Sequence, residues 1–376
     1  MSQSSSPSPQ PNGAPIFIAV RALLLLLCLY AFIVGISAMG ASFKLFGKDF
    51  AEKMLETTSS PFVGLFIGIL ATALVQSSST TTTLVVSMVA GGAISIEGAI
   101  PMIMGANIGT TVTCLMVSMG QITQKAEFKR AFAAATVHDF FNLITVAILF
   151  PLELATGILG KLAGLMQTAF QGVGGMKLAN PLKAAVKPMV NLLKDLVGDQ
   201  PVALLIIAIL LIIGMLVAIV KLLRSLVLER VEAFFNQHLF RNAGRAMVFG
   251  LLLTCAVQSS SITTSLAVPL AGAGILTLAQ IFPYAMGANV GTTITAILAS
   301  LATGDPAAVT VAFAHLLFNV GGILLIWPHP KTRQIPVKCA EWLSSQAEQR
   351  YWVPFAFLLL VFFAIPLGMI ALFRGV

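Results

Sequence analysis

Charged side chains are scarce in this chain, and their absence limits what the protein can be. Asp, Glu, Lys and Arg make up only 10% of its 376 residues, whereas a soluble domain carries roughly 25%. Apolar residues make up 57%. Such a chain cannot cover its own surface with water-compatible side chains, so the composition indicates an integral membrane protein and excludes soluble enzymes. The net charge of +8 comes from Lys and Arg in connecting segments without interleaved aromatic residues, which argues against nucleic-acid binding.

Cysteine is equally scarce. The chain has four cysteines, with no CxxC pair and no spacing suited to zinc. Three of them lie in apolar runs, and Cys339 stands alone in a polar segment. We therefore expect free thiols, with neither a disulfide framework nor a redox role.

Long apolar runs dominate what the chain does contain. A membrane-crossing helix needs about 20 apolar residues for roughly 30 Å of hydrocarbon. The first such run follows Arg21. Small residues at its end would also suit a cleaved signal peptide, but the repeat described below requires a retained span. The predicted spans lie at 22–39, 98–119, 131–152, 202–223, 278–302, 307–327 and 353–373.

Two further apolar stretches are interrupted by clusters of hydroxyl and amide side chains. Each arm has about 14 residues or fewer, or roughly 21 Å as helix, and is too short to cross alone. We expect two re-entrant helical hairpins with polar tips at membrane depth, where irregular backbone must be buried in protein or face water. The alternative is one long span with a hydroxyl-rich face. The arms are 62–75 and 84–91 around Gln76–Thr83, and 246–257 and 262–274 around Gln258–Ser261.

The interrupted stretches belong to an internal repeat. Residues 76–113 align with 258–295 without a gap, at an offset of 182 residues and with 18 identities in 38 positions. Further along, the pair His138 and Asn142 recurs at an offset of 177 as His315 and Asn319. A unit of one span, one hairpin and two more spans crosses the membrane three times. The second copy is therefore predicted to be inverted, which is typical of secondary transporters.

The predicted fold is an all-α membrane protein of two inverted repeats, with one interrupted span in each, followed by a C-terminal span. With this crossing count, one side of the membrane receives 13 Lys and Arg and the other receives nine. The positive-inside rule then places the N-terminus in the cytoplasm. The predicted parts are a disordered tail at 1–15, repeat 1 at 16–153, an external loop with an amphipathic helix at 154–200, repeat 2 at 201–327, and a linker with the final span at 328–376.

The polar clusters contain almost no titratable groups. Glu97 is the only charged residue between Phe62 and Gln124, and residues 246–304 contain none. Acid–base catalysis needs a positioned titratable group, so we expect that the protein is not an enzyme. His138 and His315 are expected to be hydrogen-bonding residues packed between helices. Neutral oxygens at a helix break suit Na⁺, and the N-terminus of each hairpin's second arm suits an anion such as phosphate.

Glycines flank an asparagine in the span that follows each hairpin. The motif Gly-Ala-Asn-x-Gly-Thr-Thr occupies 105–111 and 287–293, in each case 29 residues after the start of a Gln-Ser-Ser-Ser quartet. Paired glycines let a helix unwind and turn its carbonyl groups inward. We therefore expect both spans to be interrupted within the membrane. The alternative for glycines in a span is close packing of helices.

The two quartets and their neighbours resemble the type II sodium–phosphate cotransporter family, and the chain is similar to a bacterial member. The resemblance implies Na⁺-driven uptake of inorganic phosphate by alternating access, with both quartets in the substrate and cation sites. It also places Thr292 and Thr295 in one cation site, and it puts Ala288 where some animal members have a Ser. The shared motifs include Met-Gly-Ala-Asn-Ile-Gly-Thr (104–110), Arg-Ala-Phe (130–132), Thr-Val-His-Asp (136–139), Phe-Asn (141–142) and Pro-Leu-Glu (151–153).

Two groups of site residues follow from the motifs and the resemblance. The expected phosphate-binding residues are Ser77, Ser78, Ser79, Ser259, Ser260, Ser261, Asn107 and Thr110. The expected sodium ligands are Gln76, Gln258, Ser259, Ser260, Asn289, Thr292 and Thr295. Na⁺ is the coupling ion, and no other cofactor is expected.

The expected function is a sodium-coupled symporter that imports inorganic phosphate across a bacterial inner membrane. Its expected partners are phosphate, Na⁺ and the lipid bilayer, with no nucleic acid. A symporter of another anion, such as sulfate, arsenate or a dicarboxylate, is the first alternative. A channel is the second.

Overall fold

The computed structural model describes residues 14–47, 55, 60–173, 179–231, 240 and 242–373. Within these ranges every regular element is a helix, so the prediction of an all-α protein is confirmed. The tail predicted at 1–15 lies outside the described residues, except that Ala14 and Pro15 begin the first helix.

The helices fall into two similar series. The first consists of α1 (Ala14–Phe46), α2 (Pro61–Val75), α3 (Ser78–Ala90), α4 (Ile96–Gly109), α5 (Val112–Met119), α6 (Lys125–Thr156), α7 (Ile158–Gly172) and α8 (Ala179–Leu196). The second consists of α9 (Pro201–Val231), α10 (Ala243–Val257), α11 (Ser260–Gly272), α12 (Leu278–Thr303), α13 (Pro306–Ile326) and α14 (Pro330–Gln349). The last helix, α15 (Trp352–Phe373), contains a π-helical turn at Leu360–Ala364.

Local sequence signals set several helix ends. The Ser95 hydroxyl accepts a hydrogen bond from the Gly98 N–H at the start of α4. The Asp305 carboxylate accepts from the first N–H groups of α13, where Pro306 occupies the first helical position. Gly157 and Gly304 end α6 and α12 in the left-handed conformation, with φ of 62° and 63°.

The predicted membrane spans are confirmed by length and composition. Seven helices of the described part are long and apolar enough to cross a membrane, and they coincide with the seven predicted runs. The helices α2 and α10 are apolar but shorter, as expected of hairpin arms. The chain is therefore a multi-pass membrane protein. The spans are Val20–Phe46, Ile96–Met119, Lys125–Thr156, Pro201–Leu223, Leu278–Thr303, Pro306–Ile326 and Trp352–Phe373.

The second series repeats the first in its element bounds and its packing. The helices α10, α11 and α12 begin 182 residues after α2, α3 and α4. In both copies the first hairpin arm packs along the following span, α2 on α4 and α10 on α12. Glycines make this approach possible: a methyl group at Gly105 would collide with the carbonyl oxygen of Leu65, and one at Gly287 with that of Met247. These glycines therefore serve close helix packing.

The two copies are also joined by an amphipathic helix that follows the last span of each. The helix α7 packs on α13 of the second copy, and α14 packs on α6 of the first. The sequence analysis placed 154–200 in an external loop with one amphipathic helix, and the described part of this segment contains two helices, α7 and α8.

Two local expectations are wrong. The break in each hairpin covers only Gln76–Ser77 and Gln258–Ser259, so the hydroxyl residues Ser78–Thr83 form the first turns of α3. The span of the second copy is not interrupted at 287–293, because α12 runs unbroken from Leu278 to Thr303. In the first copy an interruption is present, at Thr110–Thr111 between α4 and α5.

Candidate functional site

The two Gln-Ser-Ser-Ser quartets form the same structure twice. Gln76 and Gln258 have left-handed backbones, with φ of 56° and 57°, and each ends the first arm of its hairpin. The N–H of each donates to a threonine carbonyl four residues earlier, Thr72 or Thr254, at 2.7 Å. A left-handed backbone is uncommon outside glycine, so its occurrence at both glutamines marks a repeated, strained turn.

The serine after each glutamine begins the second arm. The hydroxyls of Ser77 and Ser259 accept from the N–H of the residue three positions on, at 3.2 and 3.4 Å. Following Thr side chains donate back to the helix carbonyls, as Thr82 does to Ser78 at 2.8 Å and Thr264 does to Ser260 at 2.7 Å. The hydroxyl-rich sequence is thus compatible with helix, and the first N–H groups of α3 and α11 remain at the tips.

The two tips meet at the centre of the molecule. Ser79 Oγ donates to the Gln258 carbonyl oxygen, and Ser261 Oγ donates to the Thr110 carbonyl oxygen, both at 3.4 Å. The interruption between α4 and α5 therefore lies against the second hairpin. Residues of both copies contribute to one site, and most of the predicted ligands are buried there: Ser78, Ser79, Asn107, Thr110, Ser260, Ser261, Asn289, Thr292 and Thr295.

Four predicted residues differ in their exposure from this buried group. Ser77 and Ser259 are half-buried at the tips. Gln258 is also half-buried, and its side-chain oxygen accepts from the Thr295 hydroxyl at 2.7 Å. Gln76 is exposed, so the two glutamines are equivalent in sequence but not in environment.

A chain of side-chain amides connects the copies beside the tips. His138 Nε2 lies 2.5 Å from Asn289 Oδ1. Asn289 Nδ2 donates to Asn142 Oδ1 at 2.9 Å, and Asn142 Nδ2 donates to the Asn107 carbonyl oxygen at 2.8 Å. His138 and Asn142 were not among the predicted site residues. Their recurrence as His315 and Asn319 was the signal that identified them as part of the repeat.

Asp139 corrects the interpretation of an uncharged polar centre. Its side chain is fully buried, and the Thr111 hydroxyl donates to its Oδ1 at the break between α4 and α5. Its Oδ2 has no hydrogen-bond partner in the described part of the chain. A buried carboxylate oxygen is a strong ligand for a cation. Sequence separation concealed this residue, because α6 brings it to the site from 28 positions beyond Thr111.

Asp139 lies beside the one interruption found in the described spans, and the second copy has no such residue. Leu316 occupies the equivalent position in the second copy, at the offset of 177. There Thr293, the equivalent of Thr111, donates to the Val290 carbonyl within its own helix at 2.7 Å. Thr111 makes the equivalent bond to the Ile108 carbonyl at 3.0 Å, so the contact with the Asp139 side chain is the feature that the first copy has and the second lacks.

The potential ligands around the hairpin tips are oxygen atoms. Within the described ranges no three His, Cys, Asp or Glu side chains are grouped as a metal site. The centre instead offers serine and threonine hydroxyls, glutamine and asparagine carbonyls, free backbone groups and one carboxylate. This set suits a hard monovalent cation together with an oxyanion.

Comparison with known proteins identifies the family. The family model described as Na⁺/Pi-cotransporter matches residues 31–177 and 210–336. The chain belongs to this family. The resemblance seen in the motifs is thereby confirmed, and the matched ranges include both hairpins and both following spans.

Relatives of this Na⁺/Pi-cotransporter family member are named as transport proteins, not as enzymes. Sodium-dependent phosphate transport protein 2B of Homo sapiens is 31% identical over an alignment of 449 residues, gaps included. The alignment covers 94% of this chain and 65% of the relative. Protein 2A of Mus musculus is 32% identical over 421 residues, covering 91% and 66%. The chain thus spans about two thirds of the length of these relatives. No solved structure matches.

Proposed function

We propose that this protein is a sodium-coupled symporter that imports inorganic phosphate by alternating access. The observation that carries the proposal is the meeting of two equivalent polar hairpin tips, Ser79 against Gln258, with Ser261 of the second tip against Thr110 at the break of α4, in a member of the Na⁺/Pi-cotransporter family. The site is built from both copies, so a movement between them would change the side from which it is reached.

The anion is assigned to the hydroxyls and N–H groups at the hairpin tips. Helix N-termini bind phosphate through free N–H groups and a partial positive charge. Each tip offers the three serines of its quartet at the start of α3 or α11. Asn107 and Thr110 lie beside them at the end of α4.

Sodium is assigned to the carbonyl and hydroxyl oxygens around the second tip. These come from Gln258, Asn289, Thr292 and Thr295, with Ser259 and Ser260 shared between the ions and Gln76 on the opposite tip. Bound Na⁺ offsets the charge of the anion in a site with little charge of its own, which gives a physical basis for coupling.

The membrane arrangement belongs to the same proposal. Each copy has one span, one hairpin that enters and leaves on the same side, and two further spans. The copies are then inverted, and the N-terminus lies in the cytoplasm of a bacterial cell. The hydrophobic arms α2 and α10 are too short to cross alone.

The decisive experiment is phosphate uptake by purified protein in liposomes. We expect uptake to require an inward Na⁺ gradient and to collapse when choline replaces Na⁺. Inhibition of labelled phosphate uptake by sulfate or a dicarboxylate at equal concentration would redirect the proposal to another anion. Downhill flux independent of Na⁺ would indicate a channel and overturn it.

The two quartet glutamines supply the matched variants. Gln76→Ala and Gln258→Ala should each reduce Na⁺-dependent uptake at least tenfold, since each removes a side-chain oxygen assigned to Na⁺, on the order of 1.4 kcal/mol or more. Gln349→Ala changes an exposed glutamine at the end of α14 and should transport normally. Full transport by both quartet variants would contradict the site assignment.

A further inference from the structure

Equivalent residues of the two copies make a contact in one copy and not in the other. Thr295 Oγ1 donates to Gln258 Oε1 at 2.7 Å. The equivalent pair is Thr113 and Gln76, at the offset of 182. The Thr113 hydroxyl is buried and has no hydrogen-bond partner among the described residues, while Gln76 Nε2 is turned to the Met116 sulfur at 3.4 Å.

The histidines show the same asymmetry. His138 Nε2 lies 2.5 Å from Asn289 Oδ1. The equivalent pair is His315 and Asn107. Neither ring nitrogen of His315 has a partner within the described ranges, although the residue is fully buried. Asn107 Nδ2 instead donates to the Ile103 carbonyl of its own helix at 2.9 Å.

The asparagines four residues after the histidines show the same asymmetry between the copies. Asn142 Oδ1 accepts from Asn289 at 2.9 Å. Its equivalent, Asn319, is fully buried, and its Oδ1 accepts no hydrogen bond from the part of the chain that the structure describes. Asn319 Nδ2 donates only to the His315 carbonyl of its own helix, at 3.0 Å.

The three formed side-chain contacts, Gln258–Thr295, His138–Asn289 and Asn142–Asn289, all involve the second copy's hairpin or following span, and their equivalents on the first copy's hairpin and span are unformed. We call Gln258–Thr295 and His138–Asn289 the formed set, and Gln76–Thr113 and His315–Asn107 the unformed set. A buried polar atom without a partner is costly, typically as costly as a lost hydrogen bond. In this state Thr113, His315 and Asn319 have buried polar atoms that no group of the described chain pairs.

A buried hydroxyl without a partner does not by itself indicate an exchange between the copies. Thr72 and Thr254 are equivalent to each other, and the hydroxyls of both are buried without a partner in the described chain. An exchange of the two copies' conformations would leave these two unchanged. Only the residues that differ between the copies would gain or lose partners by it.

We propose that Thr113, His315 and Asn319 are positioning residues for the opposite-facing state of the transport cycle. In that state Thr113 donates to Gln76, and His315 and Asn319 hold Asn107, while the formed set opens. The proposal rests on the proposed function, because it assigns the exchange to alternating access. Each state then pairs the glutamine and asparagine of one copy with the equivalent partners of the repeat and leaves those of the other copy in different contacts.

Asn142 connects the two sets mechanically. Its Nδ2 donates to the backbone carbonyl of Asn107 at 2.8 Å, and its Oδ1 accepts from the side chain of Asn289 at 2.9 Å. A shift of α4 that brings Asn107 to His315 therefore pulls on the side chain that holds Asn289. This linkage makes the simultaneous presence of both sets unfavourable, which is the property an exchange requires.

The first test removes an atom that has no partner in the described state. Thr113→Val deletes only the unpaired hydroxyl, so it leaves this state intact and destabilises the state in which the hydroxyl is used. We expect Na⁺-dependent phosphate turnover to fall roughly fivefold, the effect of one hydrogen bond on the balance between states. Thr113→Ser keeps the hydroxyl and should restore turnover.

Thr72→Val is the matched control. It removes a buried, unpaired hydroxyl from the same copy at a position where exchange supplies no partner, so turnover should remain as in the unmodified protein. Equal turnover of Thr113→Val and Thr72→Val in a protein that transports phosphate would overturn the inference and leave the proposed function standing.

The second test does not depend on transport. In a variant whose four native cysteines are replaced, the pair Gln258→Cys with Thr295→Cys reports the formed set, and Gln76→Cys with Thr113→Cys reports the unformed set. We expect a short bifunctional thiol reagent to cross-link both pairs in membranes, since both states of the exchange are populated. Cross-linking of the 258–295 pair alone under every condition would refute the exchange.

Discussion

Single buried residues decide which parts of the polar centre are engaged. His138 Nε2, Asn142 and Asn289 bond to one another across the two copies and leave only Nδ1 of His138 without a partner, whereas both ring nitrogens of His315 are unpartnered among the described residues. The sequence predicted both histidines as hydrogen-bonding residues between helices. The structure agrees for His138 and differs for His315, because the same motif meets different neighbours in the two copies.

The matched histidines give a stability prediction. His138→Leu removes the partner of the buried Asn289 Oδ1 and should destabilise the folded protein by about 1–3 kcal/mol, seen as a melting temperature several degrees lower in detergent. His315→Leu removes no hydrogen bond of the described state and should leave the melting temperature unchanged or raise it. An equal loss in both variants would show that burial, not pairing, determines the effect.

At the scale of helices and their contacts, glycine placement controls the packing of each hairpin on the following span. Gly68 and Gly105 bring α2 and α4 together, and Gly250 and Gly287 do the same for α10 and α12. The sequence analysis weighed close packing against helix unwinding for 105–111 and 287–293 and favoured unwinding. Backbone carbonyls of the facing helix occupy the space of the missing Cβ atoms, so packing explains these glycines, and the one interruption lies beyond them at Thr110–Thr111.

Alanine substitutions test this packing. Gly105→Ala and Gly287→Ala place a methyl group against backbone that cannot rotate away, so we expect each to cost at least 1–3 kcal/mol and to reduce the yield of monodisperse protein. Gly164→Ala, in α7, meets no atom within 4 Å and should be neutral or slightly stabilising. Normal yields and melting temperatures of the α4 and α12 variants, measured by size-exclusion chromatography and thermal unfolding, would disprove the close approach.

At the scale of the whole molecule, the two copies hold each other through the helices that follow their last spans. The helix α7 packs on α13 and α14 packs on α6, so each copy contributes to the other's perimeter. The helices α9 and α15 lie outside, with exposed Ile206, Leu210, Leu359 and Leu367. Their apolar surfaces suit contact with lipid.

The proposed topology predicts which polar segments face each side. In a cysteine-free background, Gln200→Cys before α9 and Gln349→Cys at the end of α14 are both exposed. A membrane-impermeant maleimide applied to intact spheroplasts should label the first, and should label the second only after permeabilisation. Labelling of both from outside would require a different number of crossings and would remove the inverted arrangement.

The sequence alone determined the membrane class, the positions of seven spans and the existence of two matched copies. Each of these depends on local composition or on periodicity along the chain, which any short segment displays by itself. The family resemblance came from short motifs in the same way. The repeated glutamine turns were also locatable, although their width was overestimated, because serine and threonine hydroxyls bond to their own helix and allow α3 to begin at Ser78.

Only the tertiary structure decided how the equivalent residues are used. Thr111 and Thr293 have the same local sequence, yet Thr111 lies at a break and contacts Asp139, while Thr293 lies within a continuous helix and Leu316 occupies the position equivalent to Asp139. Gln76 and Gln258 share a backbone conformation, yet only Gln258 is held by a threonine hydroxyl. Contacts between segments far apart in the chain carry these differences. A sequence repeat predicts that two sites are equivalent, and packing between the copies is what makes them differ.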